Sequence, residues 1–209
     1  MRTATRDDHG VKIRALVLAL AAAFTLTACE LPEAPAETPA PQGELPQLRE
    51  APEDTGARYD RDDWPHWDYL GDGCDVRDQI LQDQGRSIRV GDNCKVTGEW
   101  TSVYDGEIVT DAGDLDIDHI VPLAEVARSG SRDWTEAERE AYANDPEVLV
   151  AVTASSNRQK GDQDPATWLP EQDRCGYVTR WVQAKAKYDL TADQAELEAI
   201  NAVLRHCPR

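Results

Sequence analysis

Positive charge is scarce in this sequence. Its 209 residues hold 22 Lys and Arg against 40 Asp and Glu, a formal net charge of −18. That excludes a protein held on DNA or RNA mainly by a broad basic face, although not one that touches phosphate at a local site. Long apolar runs are also missing: no stretch reaches the roughly 20 residues of a membrane span. A close C-x-x-C pair, the usual mark of a structural zinc site, is absent as well. What is present suffices for a core, since hydrophobic residues make up 40% of the chain and six are Trp. The length allows one ordinary domain, or one domain with appendages.

The appendages lie at the N-terminus. Arg2, Arg6, Lys12 and Arg14 precede an apolar and small-residue run from Ala15 to Thr27. The run is too short to span a membrane and suits the core of an export signal. It ends in Leu26-Thr27-Ala28-Cys29, which resembles the lipobox of bacterial lipoproteins. The resemblance implies lipidation at Cys29 and attachment to the outer face of the cell membrane; a plain secretory signal is the rival. Residues 30–56 hold six Pro, seven acidic residues and one Arg, with no aromatic residue. Such a segment buries too little apolar surface to fold and reads as an extended tether. The domain is then 57–209. Charge divides as +2 for 1–29, −6 for 30–56 and −14 for 57–209, so the domain itself is acidic.

Once Cys29 is set aside, Cys74, Cys94, Cys175 and Cys207 remain in an exported domain, and an even count there implies two disulfides with three connectivities. Apolar spacing predicts helices over Tyr177 to Tyr188 and Leu190 to Leu204, joined by a short break and therefore antiparallel. Thr191-Ala192-Asp193-Gln194 has the pattern of a capping box opening the second. Cys175 opens this hairpin and Cys207 closes it, so Cys175–Cys207 follows from the geometry and Cys74–Cys94 by elimination.

Further helices are expected around Asp75 to Gln84, over Pro122 to Arg128, and from the capping box Thr135-Glu136-Ala137-Glu138 to about Asn144. Val96 to Val109 reads as a hairpin turning at Asp105-Gly106. Leu115 to Ile117 and Val148 to Val152 read as strands, and Ser155 to Lys160 as a polar turn or helix start ended by Gly161. The class is α+β, with a small antiparallel sheet, surrounding helices and a C-terminal helical hairpin.

The chemistry is concentrated in Asp116-Ile117-Asp118-His119-Ile120-Val121-Pro122-Leu123 and Ser156-Asn157-Arg158-Gln159-Lys160-Gly161-Asp162. An Asp-His pair ends one strand, and an Asn opens a helix after the next. Phosphodiester hydrolysis needs an activated water, a cation on the phosphate oxygens and help for the leaving oxygen. A carboxylate and an amide oxygen are hard ligands suited to Mg²⁺ or Mn²⁺. A His can take the proton from water. The two segments resemble the ββα-metal, or HNH, nucleases. With Tyr59 to Arg77 and Asp164 to Pro170 included, the chain is similar to exported actinobacterial HNH proteins related to the C-terminal domain of GmrSD-type restriction enzymes.

The resemblance implies a ββα-metal core holding a divalent metal, with Asp118 and Asn157 as ligands and His119 as general base. The middle residue of the pattern, which orients the base, would fall on Val148 by spacing. Val148 cannot do this, and Asn144 is the nearest candidate. Lys160 could hold substrate phosphate or be a solvated helix end. Glu125 could reach a metal through water, Asp116 and Asp162 could support the ligands from behind or, more in keeping with their positions, cap or turn, and Arg61 and Arg77 could clamp phosphate or pair with carboxylates. His66 and His206 read as structural. The expected activity is metal-dependent endonucleolytic cleavage of nucleic acid, with DNA the expected substrate and the membrane a partner only through the Cys29 lipid. The rival is a cell-surface binding lipoprotein that keeps the frame without turnover.

Overall fold

The computed structural model describes residues 45–65 and 67–208. The expected export signal, Cys29, the expected tether up to residue 44 and His66 lie outside the described residues.

The chain enters at β1 (Arg49–Glu50), followed by a 3-10 turn at Arg61–Asp63, β2 (Tyr69–Gly71), β3 (Cys74–Asp75) and α1 (Val76–Gln84). Asp75 and Asp78 form a reciprocal capping box that starts α1. An antiparallel sheet of β4 (Arg86–Val90), β5 (Val96–Thr101) and β6 (Ile108–Val109) comes next. The β5–β6 hairpin was expected; β4 was not. Its Arg-Ser-Ile-Arg-Val stretch is exposed at every residue but Ile88, which is half-buried, so it has no alternating apolar pattern to betray it.

The functional elements are β7 (Leu115–His119), α2 (Leu123–Arg128), α3 (Glu136–Ala143), β8 (Leu149–Thr153) and α4 (Ala154–Lys160). β7 and β8 are antiparallel, with Asp118 opposite Val150 and His119 opposite Leu149. Every residue of β8 is buried, which accounts for its run of apolar and β-branched residues. Its free edge is closed by a side chain: Gln84 donates to Leu149 O at 3.0 Å and accepts from Ala151 N at 2.9 Å. β8 feeds α4 without a loop, because Thr153 is both the last strand residue and the cap whose side chain accepts from Ser156 N. Gly161 stops α4 at φ 56°, a left-handed conformation that favours glycine.

The C-terminal hairpin is α5 (Arg174–Lys187) and α6 (Gln194–Leu204), with β9 (Thr191–Ala192) between them. Cys175 is joined to Cys207 and Cys74 to Cys94, at Cα separations of 5.7 and 5.0 Å. Thr191 does not cap α6 as its sequence pattern implied. It pairs with Arg49 in a parallel β1–β9 ladder, and Asp193 caps α6 instead, accepting from Glu196 N. The same ladder moves the tether boundary. Residues 45–56 pack on the domain: Leu45 and Leu48 lie against the core, Asp54 takes two 2.6 Å bonds from Arg132, and Glu53 accepts from Arg128 at 3.2 Å. Composition misled here because the segment borrows its partners from residues 128–200. The fold is α+β, as its pattern indicated.

Candidate active site

β7 ends where the site begins. Alternate strand residues face opposite sides, yet Asp118 and His119 line one cleft of about 300 Å³, because the strand stops at His119 and Pro122 (ψ 147°) turns the chain into α2. The cleft is also lined by Asn157, the polar residue that α4 presents one turn after Thr153.

His119 is 9% exposed. Its Nε2 lies 3.0 Å from the carbonyl oxygen of Ala143, the last residue of α3. A carbonyl only accepts, so Nε2 carries the proton and the Nδ1 lone pair remains for chemistry. The rings of Trp67 and Tyr142 stack against the imidazole, each with its centroid 5.8 Å away. Tyr142 is fixed in turn by a 2.6 Å bond to Val121 O. Burial pushes the imidazole down to about 4, against the upward pull of Ala143 O and Asp118. The ring is therefore neutral at ordinary pH. Asn144 was the expected orienting group. Its side chain is occupied elsewhere, accepting from Asp68 N at 2.8 Å and donating to Glu140 O at 3.2 Å, and the neighbouring Ala143 carbonyl takes the role. A backbone oxygen has no residue identity for a sequence motif to show.

Asp118 is gripped through Oδ2, which accepts from Tyr104 OH at 2.7 Å and lies 2.7 Å from Lys160 Nζ. Lys160 also donates to His119 O at 2.8 Å and is fully buried. Neither expected role for Lys160, phosphate contact or solvated helix end, fits that placement. It is an internal counter-charge that fixes Asp118 and the end of β7. Burial lowers its pKa, while Asp118 pulls it back up. Tyr104, from the hairpin loop before β6, had no sequence signal at all.

Asn157 donates Nδ2 to Asp116 Oδ2 at 3.0 Å, which turns the amide and leaves its oxygen as the acceptor on offer. Asp116 thus positions Asn157. Asp162 borders the cleft and is held by Arg128, whose Nη1 reaches Oδ2 at 2.8 Å and whose Nη2 reaches the carbonyl at 2.6 Å. Glu125 does not serve the site. It is 1% exposed and paired with Lys185 Nζ at 2.7 Å in a buried network. Arg77 donates to the carbonyls of Ala112 and Leu115, bracing the start of β7. Arg61 lines the cleft.

Two antiparallel strands running into a helix, with a neutral buried His beside a carboxylate and an amide, define a candidate hydrolytic centre. The chain belongs to the family of the C-terminal domain of GmrSD restriction endonucleases, whose sequence pattern matches residues 76–203. That places it in a nuclease-related family, and the match takes in Asp118, His119 and Asn157. It is also similar to an uncharacterized secreted protein of Arthroderma benhamiae, 40% identical over 155 residues, which cover 71% of this chain and 76% of that protein. No solved structure matches it.

Proposed function

We propose that the protein is an exported, metal-dependent endonuclease of the HNH type that hydrolyses phosphodiester bonds of nucleic acid, with DNA as substrate. The observation that carries this reading is the placement of His119, oriented by Ala143 O, in one cleft with Asp118 and Asn157. Family membership supports the nuclease activity.

The donor set fits a hard divalent cation. Asp118 offers a carboxylate whose second oxygen is already held by Tyr104 and Lys160, and Asn157 offers an amide oxygen turned by Asp116. Two protein oxygens, with the rest supplied by water and phosphate, suit Mg²⁺ or Mn²⁺ rather than zinc. When bound, such a cation neutralises charge on the phosphate and eases departure of the leaving oxygen. Nδ1 of His119 takes the proton of the attacking water. Ala143 O, Trp67 and Tyr142 hold the ring in the tautomer and plane that this needs. Lys160 and Tyr104 hold Asp118 in place.

Export follows from the sequence of residues 1–29 and is supported by the description of the fungal relative as secreted. Anchoring through Cys29 rests on the lipobox resemblance; Cys29→Ser should release the protein from membrane to medium.

Cleavage of supercoiled plasmid and of circular single-stranded DNA with Mn²⁺, with and without EDTA, tests the activity. Asp118→Asn should weaken Mn²⁺ binding and abolish nicking together. His119→Ala should leave Mn²⁺ binding intact and cost roughly 10²–10⁴ in rate, the usual worth of a positioned base. Nicking that persists in EDTA, or Mn²⁺ affinity that falls in His119→Ala and not in Asp118→Asn, would overturn these roles. Mn²⁺ binding without cleavage of either DNA would favour the non-catalytic binding lipoprotein.

A further inference from the structure

The cleft has walls of two origins. Asp118, His119 and Asn157 come from the ββα unit, whereas Tyr59, Arg61 and Trp67 come from the segment before residue 76, outside the span that matches the family. Trp67 is committed to His119 by stacking. Tyr59 and Arg61 are not committed in this way.

Arg61 is the one basic side chain lining the cleft among the described residues. In an acidic domain an exposed Arg normally finds a carboxylate, yet among the described residues none lies within ion-pair distance of this one. Among the described residues its one bond, Nη1 to Trp64 O at 2.6 Å, is to a backbone oxygen. That bond tethers the guanidinium by one corner and leaves its other N–H donors for a planar oxyanion. Arg61 and His119 line the same cleft. Tyr59, two residues earlier, is 41% exposed on the same cleft and near enough to Arg61 to feel its charge. An exposed aromatic beside an unpaired guanidinium matches the two faces of a nucleotide, a π surface and a phosphate.

We propose that Tyr59 and Arg61 form a nucleotide subsite in which Arg61 binds the phosphate at the reacting centre and Tyr59 stacks an unpaired base, so that the substrate class is single-stranded nucleic acid. This deepens the nuclease reading and rests on it. A base in a duplex is already stacked on both faces and is not offered to a tyrosine. Following duplex phosphates usually takes several Lys and Arg, and among the described residues lining the cleft Arg61 is the one such side chain. One cation and one ring select a short, flexible stretch of strand.

The test is fluorescence anisotropy with a short labelled single strand, and with the same strand annealed to its complement, in EDTA so that binding is read without cleavage. The wild type should bind the single strand at least about 10-fold more tightly than the duplex. Tyr59→Ala, at an exposed position, should weaken single-strand binding about 10-fold, and Tyr59→Phe should restore it. Arg61→Gln should weaken it by a similar factor. Arg61→Lys should recover part of the loss, because it keeps the charge without the fork. Melting curves of the Arg61 variants report separately on the turn at Arg61–Asp63. The proposal is overturned if the wild type does not bind the single strand, if it binds the duplex equally well, or if Tyr59→Ala and Arg61→Gln bind like wild type. Selective single-strand binding without cleavage in Mn²⁺ would instead defeat the nuclease reading and leave the subsite standing.

Discussion

One oxygen of Asp118 answers to two donors, Tyr104 OH and Lys160 Nζ, and this double grip sets what each residue can do. A lysine with no exposed surface cannot reach a substrate, but it can hold a nearly buried carboxylate in place. The pair is worth little in net stability, since desolving two charges offsets most of their attraction. Breaking it is another matter. Lys160→Met fills the same volume but leaves Asp118 buried without a counter-charge, and should lower unfolding stability by about 3–5 kcal/mol. Adding Asp118→Asn should recover much of that loss, because no uncompensated charge then remains. Urea melts of the two single variants and the double variant check this. Additive losses would show that the two side chains do not depend on each other. A phosphate-binding surface lysine, the role its position in the motif implied, would leave the melts unchanged.

At the scale of elements, what could be read in the sequence was local. The reciprocal bonds of Thr135 and Glu138 that start α3 lie within one turn and are written in four residues. The strands β7 and β8 and the helix α4 were legible because apolar runs and polar turns alternate at the right lengths, whereas Asp118, His119 and Asn157 were singled out by resemblance to the HNH pattern, the first two at the end of β7 and the third within α4. Contacts over distance were not legible. Ala143 O meets His119 across 24 residues, and Tyr104 meets Asp118 across 14. Thr191 carries a sound capping pattern, but Arg49 arrives from 142 positions earlier in the chain to draw it into β9. The same long reach makes residues 45–56 part of the domain. A chain starting at residue 45 should therefore melt like the full protein. One starting at residue 57 loses the β1–β9 ladder, the Arg132 and Arg128 contacts and the packing of Leu45 and Leu48, and should melt several degrees lower. Equal melting temperatures for the two truncations would return the segment to the tether.

For the whole molecule, charge sets the terms. At −18 overall, binding to a nucleic acid should release few counterions, and log affinity against log salt should fall with a slope of about −2 to −4. A slope near −8 would require a basic groove that the cleft residues do not provide. The buried charges predict a second dependence on solution conditions. Lys185 ties α2, α5 and α6 together, reaching Glu125 and Glu196 at 2.7 Å each. Two carboxylates share this ammonium away from water, with Trp181 Nε1 donating to Glu196 at 2.5 Å. Burial pushes Glu196 up from 4.5 to about 7, with Glu125 adding to the rise and Lys185 and Trp181 opposing it. Between those two values the folded state holds a proton that the unfolded state has released. The stability this contributes is complete below pH 4.5 and is lost as pH rises through 7. His119, lowered from 6.5 to about 4, slopes the opposite way over much of that window, so the wild-type melting temperature alone does not isolate Glu196. Glu196→Gln isolates the effect, because it retains a neutral side chain of the same shape at every pH. Relative to the wild type it should gain on the order of 3 kcal/mol as pH goes from below 4.5 to above 7. Melting curves for both proteins at matched ionic strength would show their difference growing with pH across that window. Parallel curves would mean that Glu196 is ionised throughout, with Lys185 outweighing its burial.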